Sequence, residues 1–144
     1  MKDFLRVSNL LLAFALLVPC SGQAADESSV LGVWRGSLGS VPAVNLNVER
    51  KGDNLVGAIL FYLIRRGQDG TQTSSPGIPE PILDPIFDGS TLTFKVSHKN
   101  AHPPRTLNDP PVQFQFTMSG PGRGLLKSKE LPPALMVRDD AGHN

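Results

Sequence analysis

His98 and His102 stand four residues apart, a spacing that on a helix face would offer two imidazoles to one metal ion. Pro103 and Pro104 follow directly, and His98 ends an alternating run, so neither the helix nor a metal is expected. Glu80, Asp84 and Asp88 could form a carboxylate pair for acid–base work, but Pro81 and Pro85 hold that segment extended. Carboxylates there solubilise an edge strand. Gly36-Ser37-Leu38-Gly39 is not the Gly-x-Ser-x-Gly nucleophile elbow, and Gly120-Pro121-Gly122-Arg123-Gly124 lacks the Lys-Ser/Thr of a phosphate loop. With no acid, base and nucleophile converging, no catalytic residues and no cofactor are expected.

Two groups remain that suit binding. Arg65 and Arg66, His98, His102 and Arg105 could meet an anionic group or form a solvated rim. Phe94, Phe114 and Phe116 share an inward phase with Leu92, Val96, Val112 and Met118, and Trp34 is the only Trp. These aromatics either line an apolar cavity or fill the interior, since a barrel of about eight strands is just wide enough for side chains. The ligand-binding candidates are therefore Trp34, Phe94, Phe114, Phe116, Arg65, His98 and Arg105.

The elements that must position them read as strands. Residues 43–50 put Val44, Leu46 and Val48 on one face and Asn45, Asn47 and Glu49 on the other. Residues 91–98 and 112–119 alternate in the same way, and less regular runs at 30–38, 55–65, 81–87, 124–128 and 134–138 bring the count to eight. Short strands between Gly, Pro and Asp/Asn turns predict an all-β fold, an antiparallel up-and-down meander closed or partly open as a barrel. Residues 55–64 are apolar on both faces, so one face must meet something other than the interior.

Connections fall into two kinds that alternate along the chain. Tight turns are expected at 51–54, 88–89 and 120–123, and longer, Pro-bearing loops at 39–42, 66–80, 99–111 and 129–133. In a meander these sets occupy opposite ends, which places binding residues at the Pro-rich end.

Residues 1–24 have a charged start, an apolar run over Leu10–Val18 and small residues at Gly22 and Ala24, the features of a secretory signal peptide cut after Ala24. The run is shorter than the roughly 20 residues of a transmembrane anchor. Pro19 before Cys20 disfavours lipoprotein processing, so a secreted or periplasmic product without Cys is expected. Residues 25–29 form an N-terminal tail, 30–139 the barrel domain and 140–144 a C-terminal tail. The 144-residue chain has 14 Lys+Arg and 13 Asp+Glu, and without Lys2, Arg6 and Asp3 the two signs are equal. That balance excludes the basic footprint of a nucleic-acid binder and makes neither acidic membranes nor polyanions obvious partners.

Gly32-Val33-Trp34 on the first strand resembles the Gly-x-Trp of lipocalins and their calycin relatives. The resemblance implies that Trp34 plugs the closed end of an eight-stranded barrel with Arg138 packed across it, a brace worth roughly 0.5 to 2 kcal/mol. Over about residues 30–139, the pattern is similar to small exported bacterial domains that stand alone or precede α/β-hydrolase and peptidase domains. It comprises residues 31–38, Gly52 to Gly57, Phe87-Asp88-Gly89 with Leu92 and Phe94, and Pro133 five before Arg138. That pattern carries an aromatic in the seventh strand, where this chain has Gly124-Leu125-Leu126-Lys127-Ser128. The expectation is an exported, non-enzymatic binding domain for a small apolar or amphipathic ligand, or for a protein partner, at the Pro-rich end. The alternative is an accessory domain docking to a hydrolase or envelope protein through its outer face.

Overall fold

The structure is a computed structural model that describes residues 26–100, 106 and 108–140. The leader at 1–24 with Cys20, the loop residues His102 and Arg105, and most of the C-terminal tail lie outside the described residues. A single 3₁₀ turn, Glu27–Ser29, precedes ten strands: β1 (Gly32–Leu38), β2 (Val41–Lys51), β3 (Asn54–Arg66), β4 (Gln72–Pro76), β5 (Glu80–Pro81), β6 (Leu83–Phe87), β7 (Thr91–Val96), β8 (Val112–Gly120), β9 (Arg123–Ser128) and β10 (Ala134–Arg138). Among the described residues no helix is long and apolar enough to cross a membrane.

The period-two pattern puts one apolar set inside. Val44, Leu46 and Val48 of β2, Leu92, Phe94 and Val96 of β7, and Phe114 and Phe116 of β8 are all buried. The sheet is antiparallel throughout, in the order β4-β3-β2-β1-β10-β9-β8-β7-β6, so first and last long strands pair and the rest follow the chain. This is a meander curled into an open half-barrel. Among the described residues its two ends pair where β5 meets β3, through Ala58↔Pro81 and Ile59↔Glu80 and a bond from Ile82 N to Gly57 O of 3.1 Å, and β6 also approaches β3.

Three local features differ from the sequence expectation. The run at 81–87 is split into β5 and β6, because the chain leaves β3 and joins β7 within a few residues. At that exchange the register shifts between Leu83 and Ile86, and Asp84 takes φ 49, a left-handed conformation that Asp tolerates better than most residues. β4 lies inside what reads as a loop, and pairs Gln72 to Pro76 with the last five residues of β3. The connection at 39–42 is not a long loop but a two-residue turn at Gly39 and Ser40, with Gly39 at φ 62. Pro42 sits within β2 opposite Ser37, beside the register shift after Gly36, where a missing N–H is tolerated.

Candidate functional site

The end of the barrel that holds the turns after β2, β6 and β8 is closed by packing. Val30 and Trp34 are fully buried, and Trp34 Nε1 donates to Val30 O at 2.8 Å, which satisfies the indole N–H inside the core. Trp34 and Arg138 are directly opposite in β1 and β10. Arg138 Cζ lies 4.7 Å from the Trp34 ring centroid, and its Nη2 donates to Ser29 O, pinning the 3₁₀ turn over the end. Arg138 Nε is buried without a hydrogen-bond partner among the described residues. Glu27 pairs with Arg50, so residues 26–30 are part of this closure rather than a free tail.

The core between the two ends is packed with aromatic rings. Trp34 and Phe116 meet edge to face at 4.8 Å, Phe94 and Phe114 stack at 5.6 Å, and Phe61 contacts Phe114 at 5.6 Å. Gly36 leaves room that Met136 Sδ and Val44 Cγ1 fill, and Gly124 leaves room for the Phe116 ring. The missing aromatic of the seventh run therefore has a neighbour's ring in its place. Among the sequence candidates, Trp34 and Phe116 lie toward the closed end and Phe94 and Phe114 toward the middle, all four inside the core.

The opposite end carries the β1–β2 turn, the β3–β4 hairpin turn, the β7–β8 connection and the β9–β10 connection. Arg65 and Arg66 are exposed at the end of β3, facing Thr73 and Gln72 of β4. The hairpin turn beyond them is ordered by Asp69, whose Oδ1 accepts from Thr71 Oγ1 at 2.7 Å and Thr71 N at 3.0 Å. Those bonds, the side-chain one first, hold the Asp69 carboxyl below its ordinary value. His98 is not a rim residue. It is only 8% exposed and forms one wall of a pocket of about 130 Å³ with Ser97, Lys99, Thr106, Asp109 and Pro111.

Glu80 is likewise buried rather than solubilising an edge, because its carboxylate accepts from Asn100 Nδ2. Asp84 instead faces solvent and pairs with Lys95 at 3.0 Å. No group of three His, Cys, Asp or Glu side chains able to hold a metal ion occurs among the described residues.

Comparison with protein-family models, curated proteins and solved structures finds no match to this chain.

Sequence reasoning about charges and aromatics passed over the apolar residues of this end. Leu38, Leu63, Ile78 and Leu131 are large aliphatics left exposed, Ile78 by 64%. Topology puts Leu38, before the β1–β2 turn, Leu63, on the β3–β4 hairpin, and Leu131, between β9 and β10, at the loop end, whereas Ile78 lies beside the middle of β3, next to the Gly77 N to Phe61 O bond. The available signal was an isolated aliphatic beside Gly or Pro, as in Leu38-Gly39, Gly77-Ile78-Pro79 and Leu131-Pro132. The outer face of β3 is partly covered. Val56, Ala58, Leu60, Tyr62 and Ile64 are half-buried, and Asn45 Nδ2 donates to Tyr62 Oη at 3.1 Å across that face.

Proposed function

We propose that this chain is an exported, non-enzymatic, lipocalin-like binding domain that takes an amphipathic ligand, or the matching part of a protein partner, on its Pro-rich loop end. One observation carries the reading: Leu38, Leu63 and Leu131 are exposed at a single end of a half-barrel whose core is packed with its own aromatic rings. Monomeric proteins expose aliphatics singly at many places, but three at one end mark a contact surface. The ligand's apolar part rests on that rim rather than inside. Arg65, Arg66 and Lys99 at the same end suit an anionic head group. The Trp34–Arg138 brace and the meander order support the lipocalin-like assignment, and the leader-like residues 1–24 support a secreted or periplasmic location.

The test uses 1-anilinonaphthalene-8-sulfonate, an apolar dye with one anionic group, and its displacement by dodecanoate. Saturable binding is expected, weakened about tenfold or more in the Leu38→Ser/Leu131→Ser double variant, since a tenfold change needs only about 1.4 kcal/mol and each lost aliphatic contact is worth a large part of that. Absence of saturable binding, or binding indifferent to the double variant, overturns the reading.

A further inference from the structure

A second surface lies on the flank of the barrel. Along β10, Leu135 and Val137 are two apart and share the outward face, while Met136 between them is buried. Cross-strand register sets Leu135 against Leu125 of β9, and Val137 between Arg35 of β1 and Arg123 of β9. Val33, two before Arg35, lies on the same face. Val33, Val137, Leu135 and the half-buried Leu125 therefore form one diagonal stripe across three adjacent strands. Leu135 is 74% exposed, Val137 57% and Val33 36%. β10 is paired on both sides, so the stripe is a sheet face and not an edge open to strand addition.

Its charged border is one-sided. Arg123 flanks Val137, and Lys127 stands two residues beyond Leu125 on the same face; both are exposed, and neither has an ionic partner among the described residues. Arg35 on the far side is held by Asp139.

From this arrangement we infer that the β9–β10–β1 face docks a short aliphatic segment of another protein, with Asp or Glu flanking its apolar residues. A second copy of the chain is a poor occupant. Three exposed aliphatics fall well short of the ~800 Å² that each partner contributes to a stable dimer. Stacking two such faces would also bring the unpaired Arg123 and Lys127 of both copies to one interface, where like charges oppose association. An acidic-flanked segment removes both objections, because it needs little area and neutralises the two cations. The inference goes beyond the loop-end reading and uses none of its residues.

The test is selection of random peptides displayed on phage against the immobilised chain, followed by fluorescence anisotropy of the enriched peptides. Enriched peptides are expected to combine aliphatic residues with Asp or Glu and to lose about tenfold or more in affinity with Leu135→Ser/Val137→Ser. They should weaken likewise with Arg123→Gln/Lys127→Gln and with rising salt, as exposed charges are screened over about 10 Å at 0.1 M. Leu38→Ser/Leu131→Ser should leave this binding unchanged, so failure here is separable from failure at the loop end. Circular dichroism checks the fold of each variant, and the charge pair serves as the test if the Ser pair does not fold. Enriched peptides without acidic residues, enrichment indifferent to both variants, or a wild-type dimer in sedimentation that the Ser pair dissociates would each overturn the inference.

Discussion

At the residue scale the molecule rests on a few side chains that satisfy polar groups inside apolar surroundings. Trp34 contributes the largest buried ring, donates its indole N–H to Val30 O, meets Phe116 edge to face and lies beneath Arg138. Trp34→Ala should lower stability by about 3–5 kcal/mol, the usual cost of emptying a large aromatic site, measured by urea unfolding. A loss below 1 kcal/mol, the range of an exposed site, would contradict this packing. Asp88 acts at the surface by a different route. Its Oδ1 accepts from Ser90 N, Thr91 N and Ser90 Oγ, and these bonds, the Ser90 backbone one first, hold its carboxyl below the ordinary 3.8. A carboxyl whose folded-state value is depressed favours the fold at pH above its unfolded value, and that contribution is lost as pH falls through the folded one. Asp88→Ala should therefore reduce stability at neutral pH and flatten the fall below about pH 3.8, followed by urea midpoints across the acid range. An acid limb identical to wild type would show that the turn does not depend on the carboxylate.

At the element scale, the ladder is uneven. β1 to β3 and β7 to β9 are long antiparallel pairings, whereas β5 joins β3 through two register pairs and the Ile82 N to Gly57 O bond. Native-state hydrogen exchange should find the Ile82 amide opening well before the Leu46 and Phe116 amides, because a short seam with few backbone bonds holds it although its side chain is buried. Equal protection would mean a seam as strong as the rest of the wall. How legible these elements are in the sequence follows their pattern. β2, β7 and β8 each alternate one apolar set with one polar set, and their inward residues are the buried ones. β4 has no such alternation: Gln72-Thr73-Ser74-Ser75-Pro76 is polar on both faces. It exists because the edge of β3 away from β2 carries backbone groups from Tyr62 onward that need partners, continuing the line that β5 takes further down. Chain direction in a meander placed Trp34 and Arg138 toward the same end, while the Arg across the ring was what the lipocalin resemblance implied. Whether Phe94, Phe114 and Phe116 enclose a cavity was not legible, since ring-to-ring packing depends on the curvature of the whole sheet.

Across the whole molecule the two ends differ in kind. One is sealed by Val30, Trp34 and Arg138, with the chain's first described residues folded over it. The other holds the exposed aliphatics, Arg65, Arg66 and the His98 pocket, while the flank carries the β10 stripe. The loop-end and flank surfaces share no residue, so binding at one need not alter the other. The position of Trp34 has a practical side. As the only Trp of the chain it dominates the intrinsic emission, and it sits enclosed at the sealed end. Its emission thus follows the unfolding of the barrel while staying nearly blind to whatever settles on the loops. Assays of the loop end need a reporter of their own, such as a dye attached at Ser40 through Ser40→Cys.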